Sequence, residues 1–293
     1  MPSLKEVQNK IASVKKTKQI TRAMNMVASA KLRKAQDRIE RFRPYAEKFY
    51  DMLGEMAGGV ESSAHPLLEQ RDTINRVGIL LMTSDRGLCG GFNTNLIQKG
   101  LRIAREKAAE GKTAVFYCVG KKARNQIRKR EFEVAMSRVD CMDGFDFSLA
   151  NDLGTELISA YVNQDLDEVH LVYGEFMSVA RQVPRGLQIL PVVQSEVQEE
   201  VETSGATAQY MYEPSVDGIL AELLPRFIKV QVYRGLLETS ASEHAARMTA
   251  MDNASSNCDD MISNLTLAYN KARQAAITAE LLDIVGGAEA LKG

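Results

Sequence analysis

The chain has 293 residues, a formal net charge of −1 and a pI of about 6.4, so it is neither a polycation nor a polyanion overall. Hydrophobic content of 45% suits a globular protein, but tryptophan is absent and only 6% of residues are aromatic, as expected where apolar surface is drawn out into narrow helical seams. The longest apolar run, residues 77–82, is far short of the ~20 residues a membrane-spanning helix needs, and the start MPSLKEVQNK is amphipathic, with no signal-peptide pattern.

From Leu4 to Ala57 apolar residues recur at steps of three and four: Leu4, Val7, Ile11, Val14, Ile20, Met24, Val27, Leu32, Ala35, Ile39, Phe42, Ala46, Phe49, Leu53 and Met56. A mean step near 3.5 kept up for so long predicts half of a left-handed coiled coil, a rod roughly 80 Å long that needs a partner of similar length. The step from Val14 to Ile20 falls one residue short of a heptad and predicts local overwinding. Pro44 predicts a bend or local break, and Gly58-Gly59 ends the helix. Residues 61–72 then read as a polar linker.

From about Asn75 the period changes. Short apolar runs at 76–83, 113–119, 133–139, 168–174 and 186–194 predict strands, and residues 96–109, 121–130 and 147–163 predict helices, the last capped by Ser148. Strands alternating with helices imply a doubly wound, mostly parallel α/β domain with an antiparallel edge, over residues 75–212. Helical periodicity then returns for residues 213–293, with Pro225 expected in the first turn of the main helix after a short preceding one.

This last helix is the partner the first one lacks. The first enters the α/β domain at its carboxyl end and the last leaves it at its amino end, so packed together they run antiparallel. Charge agrees. Residues 1–50 carry thirteen Lys/Arg against four Asp/Glu, and residues 195–260 carry four against twelve, which places basic first helix along acidic early last helix. The last helix is longer by ~10–20 residues and should project ~15–30 Å past the start of the first, as an alanine-rich tip suited to a close-fitting sleeve.

Candidate chemistry is sparse. The turn at 84–91, SDRGLCGG, lies between strand and helix where phosphate sites form, but its glycines at 87, 90 and 91 match neither GxGxxG nor GxxxxGK[ST]. A tight structural turn or a protein-contact loop fits it better than a nucleotide site. Cys89 has no His or acid dyad nearby to make it a nucleophile. His65, His170 and His244 are scattered, which argues against a triad or metal centre and for packed or pairing histidines. Cys89, Cys118, Cys141 and Cys258 lie far apart with no CxxC, so neither a disulfide nor a zinc framework is expected, and isolated thiols fit a reducing cytoplasm. The first helix's basic face lacks the interleaved aromatics of a nucleic-acid site. Met24 lies on the apolar stripe, where a packing role is the default. The residues alone therefore describe a two-helix shaft on an α/β base, a mechanical or scaffolding element, with no cofactor, no metal and no active site expected. A cytoplasmic coiled-coil tether or nucleic-acid scaffold, and an oxidoreductase built on the α/β domain, are the alternatives.

Residues 10–28, 84–91, 242–248 and 270–290 closely resemble the γ-subunit family of bacterial F-type ATP synthases. The last stretch carries Ile277-Thr278-x-Glu280-x-x-Asp283-x-x-x-Gly287-Ala288-x-Ala290, and the similarity spans the whole chain. The resemblance implies a non-catalytic central rotor inside a ring of three α and three β subunits, with the ε subunit and a membrane c-ring as further partners and no nucleic acid. It implies peripheral association with the cytoplasmic side of the bacterial inner membrane, and proton flow as the drive, sodium in some members. By the same resemblance Met24, Arg247, Gln274, Thr278 and Glu280 match rotor–stator coupling positions, and Arg33, Lys34 and Arg41 face acidic loops of β. The inserted dithiol segment of chloroplast members is not found here.

Overall fold

The computed structural model describes residues 4–57, 65–71, 73–192 and 216–290. In chain order the elements are α1 (Leu4–Ala57), β1 (Arg76–Met82), α2 (Phe92–Ala109), β2 (Thr113–Val119), α3 (Lys121–Arg128), β3 (Glu133–Arg138), α4 (Phe147–Val162), β4 (Glu168–Phe176), β5 (Gln182–Leu190) and α5 (Val216–Ala290). They divide into two compact units. One joins Met1–Ala28 to Met248–Gly293, and the other is Ser29–Arg247.

In the larger unit the strands form one sheet in the order β3-β2-β1-β4-β5. The first four are mutually parallel and β5 runs antiparallel to β4, so the expected mostly parallel sheet with an antiparallel edge is present. The central strands are apolar on both faces because helices cover both. Leu80 and Met82 of β1, with Val115, Tyr117 and Val119 of β2, face a core shared with α4, α5 and the end of α1. Ile79 and Leu81, with Phe116 and Cys118, face a second core under α2 and α3. Gly120 makes the turn from β2 into α3. Its φ is +92° and a Cβ there would lie 2.3 Å from the Thr83 carbonyl oxygen, so only glycine fits.

Several sequence expectations need correction. Pro225 lies well inside α5, which is continuous from Val216, and α1 likewise runs through Pro44. A proline removes its own N–H and frees the carbonyl four residues back. Pro44 and Glu40 are exposed, as is Ala221, so both freed carbonyls lie on watered faces. The cap of α4 is Asp146, whose carboxylate accepts from the Ser148 amide at 3.0 Å and from its hydroxyl at 2.5 Å. Strand β5 begins at Gln182 rather than 186, because an edge strand with half-exposed polar residues lacks the apolar run that marks its neighbours. Helix α2 starts at Phe92 rather than 96. The Phe92 ring seats against Gly174 of β4, where a Cβ would approach it to 2.7 Å. The expected strand end at 191–194 and the helix start at 213–215 lie partly outside the described residues.

In the smaller unit α1 and α5 pair antiparallel. Lys18 meets Asp259, and seven residues further along α1 the Asn25 amide donates to the Met248 carbonyl at 2.9 Å, so one chain advances as the other recedes. The seam differs from the apolar stripe. Ile20 and Val27 are 60% and 58% exposed, whereas Thr21 and Ala28 are 8% and 1% exposed. With Val7, Ile11, Val14, Lys18 and Asn25 at least half-buried, the packed positions 7, 11, 14, 18, 21, 25 and 28 keep an unbroken four–three alternation. There is no overwinding step. Polar residues occupy heptad positions and apolar residues stand outside them.

On α5 the packed or half-packed positions 251, 255, 258, 262, 265, 269, 272 and 276 follow the same alternation, with Ile262 and Tyr269 in the seam and Met261 and Ala268 exposed. From Ile277 to Ala288 every residue is exposed.

Candidate functional site

In the larger unit the turn after β1 is held by its own acid. Asp85 accepts from the backbone amides of Lys121 at 2.9 Å, Asp140 at 2.8 Å and Met142 at 3.1 Å, tying the ends of β1, β2 and β3 together. Asn93, one residue into α2, bonds the Ser84 amide at 3.0 Å and donates to Ser84 Oγ at 2.8 Å and to Cys89 Sγ at 3.1 Å. The turn is thus held by hydrogen bonds to neighbouring loops and to α2. Leu88 sits at its apex with φ +63° and 63% exposure. Burial pushes the Cys89 thiol up, so it is a poor nucleophile.

Against this turn lies Arg247 of α5. A coupling contact is the expectation for it, yet it is only 9% exposed. Its guanidinium donates to Glu243 Oε1 at 2.6 Å and to the Gly87 carbonyl at 3.2 and 3.4 Å, with His244 Nδ1 at 3.4 Å. Burial raises the Glu243 carboxyl against the pull of Arg247. Burial, then the charges of Arg247 and Lys31, push His244 down to about 4, so its ring is neutral at pH 7 and Nδ1 can accept. Arg247 is therefore built into the domain by a charge pair and a carbonyl.

Lys31 of α1 reaches Asp143 at 2.7 Å, and its hydrogen bond and charge hold that carboxyl below the usual range. Two acids of early α5 pair within their own helix, Glu238 with Arg234 at 3.1 Å and Glu243 with Arg247 at 2.6 Å. The expected match of basic α1 with acidic early α5 is thus realised in part, at Lys18 and Asp259. Arg33, Lys34 and Arg41 are exposed.

In the smaller unit Met24 is half-buried between Thr21 and Ala28 of the seam. Gln274, Thr278 and Glu280 are all exposed. Of the coupling candidates, the structure joins Gln274 and Thr278, whose hydroxyl donates to the Gln274 carbonyl at 2.9 Å. Among the described residues no three His, Cys, Asp or Glu side chains converge as a metal site would require. Sequence reasoning missed Asp85 as the anchor of the turn, Glu243 as the partner of Arg247, and Asn25 as a seam residue. An acid beginning a glycine-rich turn, and an i,i+4 Glu–Arg pair within an apolar run, are the signals that point to the first two.

The family model described as ATP synthase matches residues 3–291. The ATP synthase gamma chain of Nitratidesulfovibrio vulgaris (Hildenborough) is 67% identical over 293 residues, covering 100% of both chains, and that of Lawsonia intracellularis is 50% identical with the same coverage. The chain belongs to the ATP synthase γ-chain family. The fold is shared more widely. A chain of the Euglena gracilis mitochondrial ATP synthase, solved in a rotational state with OSCP, F1 and c-ring, superposes with a TM-score of 0.66 at 21% identity, covering 98% of this chain and 94% of that one. A chain of the Tetrahymena thermophila central stalk and c-ring gives 0.60 at 23% identity, covering 80% and 99%. Among the described residues no helix is long and apolar enough to cross a membrane.

Proposed function

We propose that the chain, as the central-stalk subunit of its ATP synthase, couples proton flow through a membrane c-ring to ATP synthesis and hydrolysis on a ring of three α and three β subunits. It does so by turning an asymmetric helix pair inside that ring. The observation that carries this reading is the end of α5. Ile277, Leu281, Leu282, Ile284 and Val285 are all exposed on a helix whose preceding heptads are sealed against α1. An apolar helix end exposed on every side is a surface for surrounding protein. A shaft without threefold symmetry presents a different face to each β subunit and so favours a different state at each nucleotide site, which is differential binding to conformational states.

Met24, Gln274, Thr278 and Glu280 then serve as contacts with the ring, Thr278 with its hydroxyl donated to its own helix and an oxygen lone pair still free. Arg247 acts through the turn at 84–91, and Arg33, Lys34 and Arg41 meet acidic loops of β. The α/β domain carries the ε subunit and rests on the c-ring, on the cytoplasmic side of a bacterial plasma membrane.

Affinity purification of the tagged chain from native membranes is expected to recover α and β subunits with ATPase activity. Their absence would sink the reading. Met24→Lys is expected to weaken proton pumping more than ATP hydrolysis in membrane vesicles, and equal loss of both would contradict its coupling role.

A further inference from the structure

A shaft delivers torque only if its helices cannot turn against the domain that is driven. Close-packed side chains resist separation and twist alike, and directional contacts add an angular preference to that resistance. In the larger unit α5 is held by Thr239, Ser242 and Arg247, and the contacts that tie α1 to both α5 and the α/β domain converge on Arg38. Unlike Arg33, Lys34 and Arg41, it is half-buried, and its side chain joins three separate elements. It belongs to α1. Its guanidinium lies 4.4 Å from the ring centroid of Phe145, in the segment between β3 and α4, and donates to the Phe145 carbonyl. It also donates to the Tyr233 hydroxyl of α5 at 3.3 Å.

The two groups that Arg38 holds are themselves fixed. The Tyr233 ring is met edge-on by Phe42 of α1 at 4.9 Å, by Phe147 of α4 at 5.3 Å and by Phe145 at 6.2 Å. The segment carrying Phe145 is tied at its start to the β1 turn through Asp85, which holds the amides of Asp140 and Met142. Lys31, two helical turns before Arg38 and on the same face of α1, grips that segment again at Asp143. The Lys31–Asp143 pair is largely exposed and mechanically weak. A planar guanidinium that stacks on one ring and bonds two oxygens in different elements is not.

We propose that Arg38 is a positioning residue for torque transmission: it fixes the angular setting of α1 and α5 against the α/β domain. This rests on the rotor reading above. A purely structural arginine would lower stability and leave the twist of the assembled shaft unchanged.

The test uses the complete ATP synthase and two readouts: torsional stiffness of the stalk, from the angular fluctuations of a bead fixed to the α/β domain with the ring immobilised, and the ratio of proton pumping to ATP hydrolysis. Removing the stronger of the two grips of α1 on the segment between β3 and α4 is expected to lower stiffness about twofold in Arg38→Ala, with unloaded hydrolysis within about twofold of the parent and a larger fall in pumping against a gradient. Arg38→Lys keeps the charge but lacks the planar fork, so it should recover less than half of the loss. Unchanged stiffness in assembled Arg38→Ala enzyme overturns the proposal, as does parallel loss of hydrolysis and pumping in proportion to assembled complex. Should Arg38→Ala not assemble, Tyr233→Phe keeps the ring and removes one acceptor. A partial loss of stiffness there supports the proposal, and parental stiffness overturns it. A parent enzyme in which ATP drives no rotation would remove the rotor reading itself, a result distinct from a rotating parent with an indifferent Arg38.

Discussion

Residues 224–247 and 277–288 of α5 belong to one continuous helix and are similarly rich in small and apolar side chains, yet the first stretch is buried on nearly every side and the second on none. The first is enclosed by the sheet and by other helices. Gly235 lies where a Cβ would touch Leu171 and Met82 at 3.2 Å, Thr239 and Ser242 bond the backbone of Gly174, and Gly154 of α4 closes against Lys229. Among the described residues, none buries any part of the second. A helix that is apolar all round marks either a core or a binding surface, and composition alone does not say which. The difference shows where this chain invests stability and where it leaves apolar surface uncovered among the described residues.

The largest expected effect tests the buried half. Glu243→Leu leaves Arg247 buried without its carboxylate, and unfolding of the isolated chain should show a loss of about 3–5 kcal/mol. A loss no greater than that of an exposed pair would mean the guanidinium finds another partner.

Acid comes next, and it divides the larger unit further. His244 is held down to about 4 from 6.5 by burial and its cationic neighbours, so the unfolded chain binds the proton first. Stability from this group is complete above pH 6.5 and falls as pH drops towards 4, by about 3 kcal/mol in all. For Glu168, burial alone would raise the carboxyl, but hydrogen bonds from His170 at 2.6 Å and Lys107 at 2.7 Å, and their charges, bring it down to about 2. Its contribution, again about 3 kcal/mol, is complete above pH 4.5 and is lost as pH falls towards 2. Urea titrations across pH should resolve two windows. His244→Asn should shrink the upper one and Glu168→Gln the lower one.

A smaller effect is expected at Gly174. Alanine there would bring Cβ to 2.7 Å from the Phe92 ring, and overpacking should cost about 1–3 kcal/mol. The smallest is expected at the tip. Leu282→Ala, on a side chain 66% exposed, should change the stability of the isolated chain by less than about 0.5 kcal/mol. Its effect should appear in the assembled enzyme, as weaker retention of the stalk. A stability loss comparable to that at Gly174 would mean the tip is packed within the chain, and the contrast along α5 would collapse.

The sheet was largely legible beforehand. Three strands, β1, β2 and β4, are short apolar runs between turn residues, and parallel strands covered on both faces have no other pattern open to them. The edge strand was placed four residues late at its start, because half its surface is wet and its residues are polar. The seam of the coil was read from apolar residues, and there the reading failed at particular positions. Lys18, Thr21 and Asn25 occupy packed places because a partner carboxylate, a helix carbonyl and a partner carbonyl satisfy them, while Ile20 and Val27 face outward. Polarity says what a side chain needs, and only the facing helix says whether that need is met within a seam.

Of the candidate site, Gln274, Thr278 and Glu280 are exposed. Arg247 is not. Its burial follows from Glu243 one helical turn earlier and from a carbonyl in a turn some 160 residues away in sequence, at Gly87. Asp85 holds three amides from two other loops for a similar reason. Long-range pairings of this kind leave no periodic trace.

What the sequence determined by itself was the period of each segment: 3.5 at the two ends, two and 3.6 alternating between them. Period follows from local backbone geometry, so helix, strand and the need for a coiled partner were all decided there. Tertiary structure alone decided which face of each helix is inside, and which buried polar groups are satisfied. It also decided that one helix should serve as core over one length and as open surface over another. Those are properties of neighbours distant in the chain, and burial is defined only once the neighbours are in place.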